Sequence, residues 1–348
     1  MAKSWENPRS EHVKAADRYA EAGVDVTAGN EAVARYREVL AGYRHPDQLD
    51  AFGGFAGLFR MPGDATRALV ASADGVGTKI LIAAELGRYD TVGADLVNHC
   101  VNDILVCDAS PLFFLDYLAV GKLDPAIAAE IVSGVGRACR DHGIALLGGE
   151  TAEMPGLYAR EHFDLAGTIV GMVEIEALER LGGVEAGDAI VGLPAVGLHT
   201  NGYSLARALI AREDWTASFN GATYADALLA EHPSYYDAVR AIGKVAQVKA
   251  MSHITGGGLL ENVARTLPDD AKAVFEQQRW SVPPIEEELV RRGDLGEERY
   301  RTLNMGVGYT LVVPVGQAAA AVAAVKGAAI VGWVESRRPD EPRVVVHF

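Results

Sequence analysis

The chain of 348 residues is short of cysteine, short of cations and without a long apolar run, and each shortage excludes a class of protein. Its three cysteines, Cys100, Cys107 and Cys139, form no CxxC pair, so they are expected as reduced, mostly buried thiols. No neighbouring pattern would activate one as a nucleophile. Lys and Arg number 32 against 47 Asp and Glu, a formal net charge of −15, which opposes non-specific binding to nucleic acid or an anionic membrane. No uninterrupted apolar stretch is long enough to span a bilayer. The N-terminal MAKSWENPRSEH lacks the apolar core of a secretory leader, so a cytoplasmic location is expected. What the chain does have is 49% apolar residues, enough for a globular core, and a length that favours two domains.

The densest chemistry lies in Leu69–Lys79, LVASADGVGTK. A short buried strand runs into Asp74-Gly-Val-Gly-Thr-Lys79 and then into a helical pattern over Ile80–Arg88. Gly75 and Gly77 permit close backbone approach, Thr78 can cap the helix, Asp74 can hold Mg²⁺, and Lys79 can neutralise phosphate. The run reads either as a cradle for a metal-bound nucleotide or as an ordinary strand-to-helix turn with a capping threonine.

Residues 1–18 are polar and charged, and a flexible arm is expected there. Tyr19–Asn30 is small and polar, either a segment that wraps over a ligand or a surface loop before a helix through Val33, Tyr36, Val39 and Leu40. Phe52–Phe59 alternates glycine with aromatic residues, as in an edge strand or a clamp. Thr91–Ala109 reads as an amphipathic helix placing Asp95, His99 and Asp103 on one face with Asn102 beside it, a face suited to Mg²⁺ or a polar substrate. Asp116 interrupts the apolar strand Leu112–Val120, where a carboxylate is costly unless paired or metal-bound. Asp124 and Pro125 start a helix to about His142. The strand Ile144–Leu147 ends at Gly148-Gly149-Glu150, presenting a second carboxylate at a strand end, and Asp164–Glu174 is a further strand. The alternation defines an α+β domain of about four strands.

A polar, glycine-bearing break near Glu179–Ala186 separates an N-terminal domain, 19–176, from a C-terminal α/β domain with a mixed sheet, 187–348. In the second domain His199, Thr200, Asn201 and Ser204 crowd a helix start. Thr255-Gly256-Gly257-Gly258 makes a second turn fit for phosphate, though it has neither Walker nor dinucleotide spacing.

Taken in order, AGVDVTAGN (22–30), SADGVGTK (72–79), GADLVNHCVNDI (93–104), PLFFLDYLA (111–119), LGGETAEMPG (147–156), GLHTNGYSL (197–205), SHITGGGLLEN (252–262) and YRTLNMGVG (300–308) strongly resemble the phosphoribosylformylglycinamidine cyclo-ligase, or AIR synthetase, family over nearly the whole chain. Two residues depart from the family pattern: Leu303 stands where an aromatic often precedes the NMG segment, and Arg37 where a lysine can occur. The resemblance implies ATP-dependent ring closure, with ATP as co-substrate and Mg²⁺ as cofactor. It also implies a homodimer whose N-terminal sheets join in a barrel. It assigns Asp74, Asp103 and Glu150 to the metal. It assigns Asn30, Asp74, Gly75, Gly77, Thr78, Lys79 and Gly256–Gly258 to ATP or phosphate, and His199, Thr200 and Asn201 to substrate. Lys79, Asp103 and His199 would take part in catalysis, with His199 an acid–base candidate. The competing readings are a sibling ATP-using kinase or selenophosphate synthetase, or a nucleotide-binding subunit without activity. The absence of cysteine before Cys100 speaks against a selenophosphate enzyme, and the presence of all three acids against an inactive subunit.

Overall fold

A computed structural model describes residues 20–49 and 54–348, so the arm expected over 1–18, Tyr19 and the start of the glycine–aromatic run lie outside the described residues. Two mixed sheets organise the rest. The first has strands β1 (Gly57–Arg60), β2 (Arg67–Gly75), β3 (Ser110–Val120), β4 (Ala145–Glu153) and β5 (Phe163–Glu174), in the order β1-β2-β5-β3-β4. Only β3 and β4 run parallel; their connection carries the helix Pro125–Asp141. Four strands were expected and five are found, because the second half of the glycine–aromatic run pairs with β2 as an edge.

The second sheet takes β6 (Ala189–Pro194), β9 (Ala250–His253), β10 (Ala271–Glu276), β11 (Val307–Val313), β12 (Ala329–Ser336) and β13 (Val344–His347), in the order β13-β10-β12-β6-β11-β9. Strands β7 (Ser218–Phe219) and β8 (Ala222–Thr223) make a small separate hairpin. The first sheet's last strand ends at Glu174 and the second sheet begins at Ala189.

The central helix, Val92–Leu105, is buried along its entire length. Its apolar residues Leu96, Cys100 and Ile104 lie in the core with the first sheet. Its polar residues are buried too, which an amphipathic pattern does not foretell: they meet the second domain instead of water. The helix crosses Pro125–Asp141 at two glycines. A Cβ on Gly93 would sit 2.2 Å from the Ile131 carbonyl oxygen and 2.5 Å from the Val135 nitrogen. Gly93→Ala should therefore force the helices apart and lower stability by about 1–3 kcal/mol in denaturant unfolding.

The other face of the first sheet is open. Alternation along β3 turns Leu115 and Tyr117 outward, 39% and 38% exposed, while Phe114 and Leu118 are buried. Asp116 points to the helix side, where it rests on Gly149: a Cβ there would lie 2.3 Å from Asp116 Oδ1. Burial pushes the Asp116 carboxyl up. The helix expected to follow Asn30 begins earlier, at Val26, where Asp25 caps it by accepting from the Ala28 amide at 2.9 Å. Residues 26–30 are thus its first turn rather than a wrap.

Candidate active site

The site lies in the seam between the domains. Strand β2 delivers Asp74 at its end, and the central helix supplies Asp95, His99, Asn102 and Asp103. The 197–204 loop, the 230–236 segment and the end of β9 face them. His99 is the hub. Its Nε2 lies 2.7 Å from Asp74 Oδ2 and 3.6 Å from Asp103 Oδ2, and its Nδ1 lies 2.8 Å from Thr200 Oγ1. Asp103 Oδ1 is 2.8 Å from His253 Nδ1, and its Oδ2 accepts from Ser72 Oγ at 3.2 Å.

Burial opposes charge on His99, but Asp74 and Asp103 outweigh it and raise the imidazole to about 9, so it is an imidazolium at neutral pH. Burial also pushes Asp74 up, yet His99 and the Gly75 amide leave it below the usual carboxylate range. The other three imidazoles are neutral. Burial drives His199 and His232 well down and also lowers His253, against the pull of Asp103. His199 stacks on His232 with ring centroids 4.2 Å apart.

The Asp74 and Asp103 carboxylates converge on the His99 ring, and their oxygens are the donor type that would suit Mg²⁺. Glu150 does not join them within the chain. Asp74, Gly167, Asp116 and Gly149 lie in one cross-strand row, so Glu150 pairs with Tyr117 and turns to the open face of the sheet, on an edge strand.

Lys79 is likewise not exposed to a phosphate. Its Nζ is wholly buried, 2.6 Å from Asp95 Oδ2 and donating to the Ala230 carbonyl at 2.7 Å. Asp95 in turn accepts from the His232 amide at 2.7 Å, so this pair bolts the domains together rather than serving the ligand. Thr78 flanks its helix but makes no capping bond; its Oγ1 lies 3.3 Å from Ser204 Oγ. Gly77 adopts a positive φ of 70° and packs on the Thr200 carbonyl, where a Cβ would lie at 3.4 Å.

His199 is buried, and its backbone is left-handed, with φ 60°. Thr200 is buried against His99, and Asn201 donates to Thr200 Oγ1 at 3.3 Å. The Gly256–Gly258 turn is held by Asn262, whose Nδ2 reaches the carbonyls of Thr255, Gly256 and Gly258. Its glycines are needed: a Cβ on Gly258 would meet the Tyr300 carbonyl oxygen at 2.1 Å, and one on Gly256 would lie 3.3 Å from Asn201 Oδ1. Asn30 reaches the same rim, 3.3 Å from Glu261 Oε2. Sequence reasoning named the face carrying His99 but missed the His232 and His253 side chains. For His253 the polar end of a strand before a glycine turn was a usable signal; for His232 there was none.

Glu286 belongs to no expected set. It is fully buried, and the Met305 and Gly306 amides and the Asn304 side chain lie beside it and favour its charge less than burial opposes it. Burial pushes its carboxyl well above the model-compound value of 4.5. The folded state therefore keeps a proton that the unfolded chain releases, and stability falls as pH rises above about 4.5. Glu286→Gln should remove that loss, with little effect near pH 4 and a gain in stability by neutral pH. Urea unfolding at the two pH values reads it.

The fold is two mixed-sheet domains that meet in a buried seam of carboxylates and histidines. Residues 53–173 match the AIR synthase related protein N-terminal domain family, and residues 185–345 match the corresponding C-terminal domain family. The chain belongs to the AIR synthase related family. It is 43% identical to a phosphoribosylformylglycinamidine cyclo-ligase of Myxococcus xanthus, over 94% of this chain and 98% of that one. It is 46% identical to another so named from Anaeromyxobacter, over 90% and 94%. Among solved structures it resembles the thiamine monophosphate kinase of Aquifex aeolicus, with a TM-score of 0.59 and 16% identity over 91% of this chain and 97% of that one. It also resembles the hydrogenase maturation protein HypE in complex with ATP, with a TM-score of 0.59 and 20% identity over 88% of each. At those identities the likeness is one of fold.

Proposed function

We propose that the chain is a phosphoribosylformylglycinamidine cyclo-ligase: it uses ATP to close formylglycinamidine ribonucleotide to aminoimidazole ribonucleotide, releasing ADP and phosphate, in purine biosynthesis. The supporting observation is the convergence of Asp74 and Asp103 in the seam, beside the Thr200 and Gly256 loops, in a chain this close to enzymes of that name. An amide oxygen is a poor leaving group. Transfer of the γ-phosphoryl of ATP to the formyl oxygen makes an iminophosphate, and attack of the substrate's amidine nitrogen on the same carbon, with loss of that nitrogen's proton, then breaks the C–O bond and expels phosphate. Such transfer needs positioning and charge neutralisation more than a protein nucleophile. Mg²⁺ would offset phosphate charge when held by Asp74 and Asp103. His99 holds Asp74 in place, and Asn30, Asn201 and the Gly256–Gly258 turn form the rim that would receive phosphate groups. His199 is buried and neutral, which suits a role in shaping the loop under the substrate.

The open apolar face around Leu115 and Tyr117 supports a homodimer in which two such sheets pack together, and sedimentation of the purified chain at twice the monomer mass is the check. The activity test is aminoimidazole ribonucleotide formation from formylglycinamidine ribonucleotide, ATP and Mg²⁺. ATP consumption with the phosphate kept on the substrate would point to a kinase instead.

A further inference from the structure

Four histidines meet in the seam, and cyclo-ligase chemistry as set out above uses only His99 and, indirectly, His199. The remaining two, His232 and His253, face each other at hydrogen-bond distance. His253 Nδ1 lies 2.8 Å from the Asp103 carboxylate, so that nitrogen carries the proton and Nε2 presents a lone pair. His253 Nε2 lies 3.3 Å from His232 Nε2. The orientation of the Asn102 amide is set: its Oδ1 accepts from the Tyr235 amide at 2.8 Å, and its Nδ2 donates to the Pro233 carbonyl at 3.0 Å. The same Nδ2 lies 3.3 Å from His232 Nε2, so that nitrogen is held as an acceptor as well. The proton of neutral His232 is then on Nδ1, which is buried without a partner. Two imidazole nitrogens thus meet without a proton between them in a region with no access to water, at 0% exposure for both residues.

Two ring nitrogens at this distance match the spacing of ligands on a tetrahedral metal. Metal–nitrogen bonds of about 2.0–2.1 Å put two ligand nitrogens about 3.3–3.4 Å apart. A third imidazole is at hand: His99 offers a nitrogen within 4.8 Å of those of His232 and His253, and as a ligand it would turn, give up one of its present partners and release its proton to solvent as the metal binds. Asp103 behind His253 is the outer-shell carboxylate that fixes the tautomer of a ligating histidine. We propose that His99, His232 and His253 form a buried site for one divalent transition metal of the zinc class. Three imidazoles select such an ion over Mg²⁺, which prefers oxygen. The ligands come from both sides of the seam, the central helix and the second domain, so the ion would clamp the two domains beside the carboxylate pair.

The test needs no activity assay. The purified full chain is titrated with Co²⁺ in excess Mg²⁺ and followed by visible absorption. The expected result is one Co²⁺ per chain with the intense d–d bands of four-coordination, insensitive to Mg²⁺, displaced by Zn²⁺, and a raised thermal midpoint. His232→Asn and His253→Asn should each weaken binding beyond the roughly 10–100-fold expected for losing an outer-shell partner such as Asp103. Absent uptake, uptake abolished by Mg²⁺ (the signature of Asp74 and Asp103 alone), or uptake that survives both substitutions overturns the proposal. Should a variant fail to fold by circular dichroism, the Mg²⁺ competition and band intensity of the unaltered chain still decide.

Discussion

Lys79→Met should lower the stability of the chain by about 3–5 kcal/mol, the largest single loss expected of any side chain in the seam. The ammonium is fully buried, pairs with a fully buried Asp95 and satisfies the Ala230 carbonyl. Removing it strands a carboxylate that burial already pushes up and that only the His232 amide would still hold. The double variant Lys79→Met with Asp95→Leu should recover much of the loss, because taking away both charges removes the desolvation cost along with the attraction. Urea unfolding of the two single variants and the double gives the coupling directly. The same variants separate the two roles for this lysine. If it acts only as a bolt, any folded Lys79→Met retains its KM for ATP; a rise in KM for ATP at unchanged stability would restore the phosphate role.

That residue also shows where sequence reading stops. SADGVGTK was legible as a strand, a glycine turn and a helix, and the structure has all three. Which way Lys79 leaves the helix depends on a partner, Asp95, in the next helix, and on the Ala230 carbonyl far along the chain; no local pattern carries that. Glu150 illustrates a second limit. Alternation in a strand assigns residues to two faces but not which face is which, and a one-residue shift exchanges them. The β3–β4 pairing has such a shift between Phe114 and Leu115, which leaves Gly149 rather than Glu150 in the row of Asp74 and Asp116. The helix face of Asp95, His99 and Asp103 was legible because its i, i+4, i+8 spacing is intrinsic to the helix. Its burial was not, since a polar face opposite a polar face looks the same in sequence as a polar face opposite water.

Asp74→Asn should cut turnover by about 10²–10³ while leaving the fold intact. The side chain is 44% exposed, and its backbone is secured by the β2–β5 ladder, so its loss opens no cavity. Asparagine keeps the size and one oxygen but removes the charge that Mg²⁺ and the His99 imidazolium both require. The effect should fall mainly on kcat and on the Mg²⁺ concentration needed for half-maximal rate, since the charge matters most as the phosphoryl group moves. The same change should bring His99 down from about 9, because only Asp103 and Asp95 would remain to favour its charge; an NMR titration of the ring reads that independently of activity. Asp103→Asn is the informative contrast. It sits at 7% exposure and also holds His253 and Ser72, so it should lose stability as well as rate. Unchanged turnover and Mg²⁺ dependence in Asp74→Asn would remove the carboxylate pair from the mechanism and leave it as an anchor for His99.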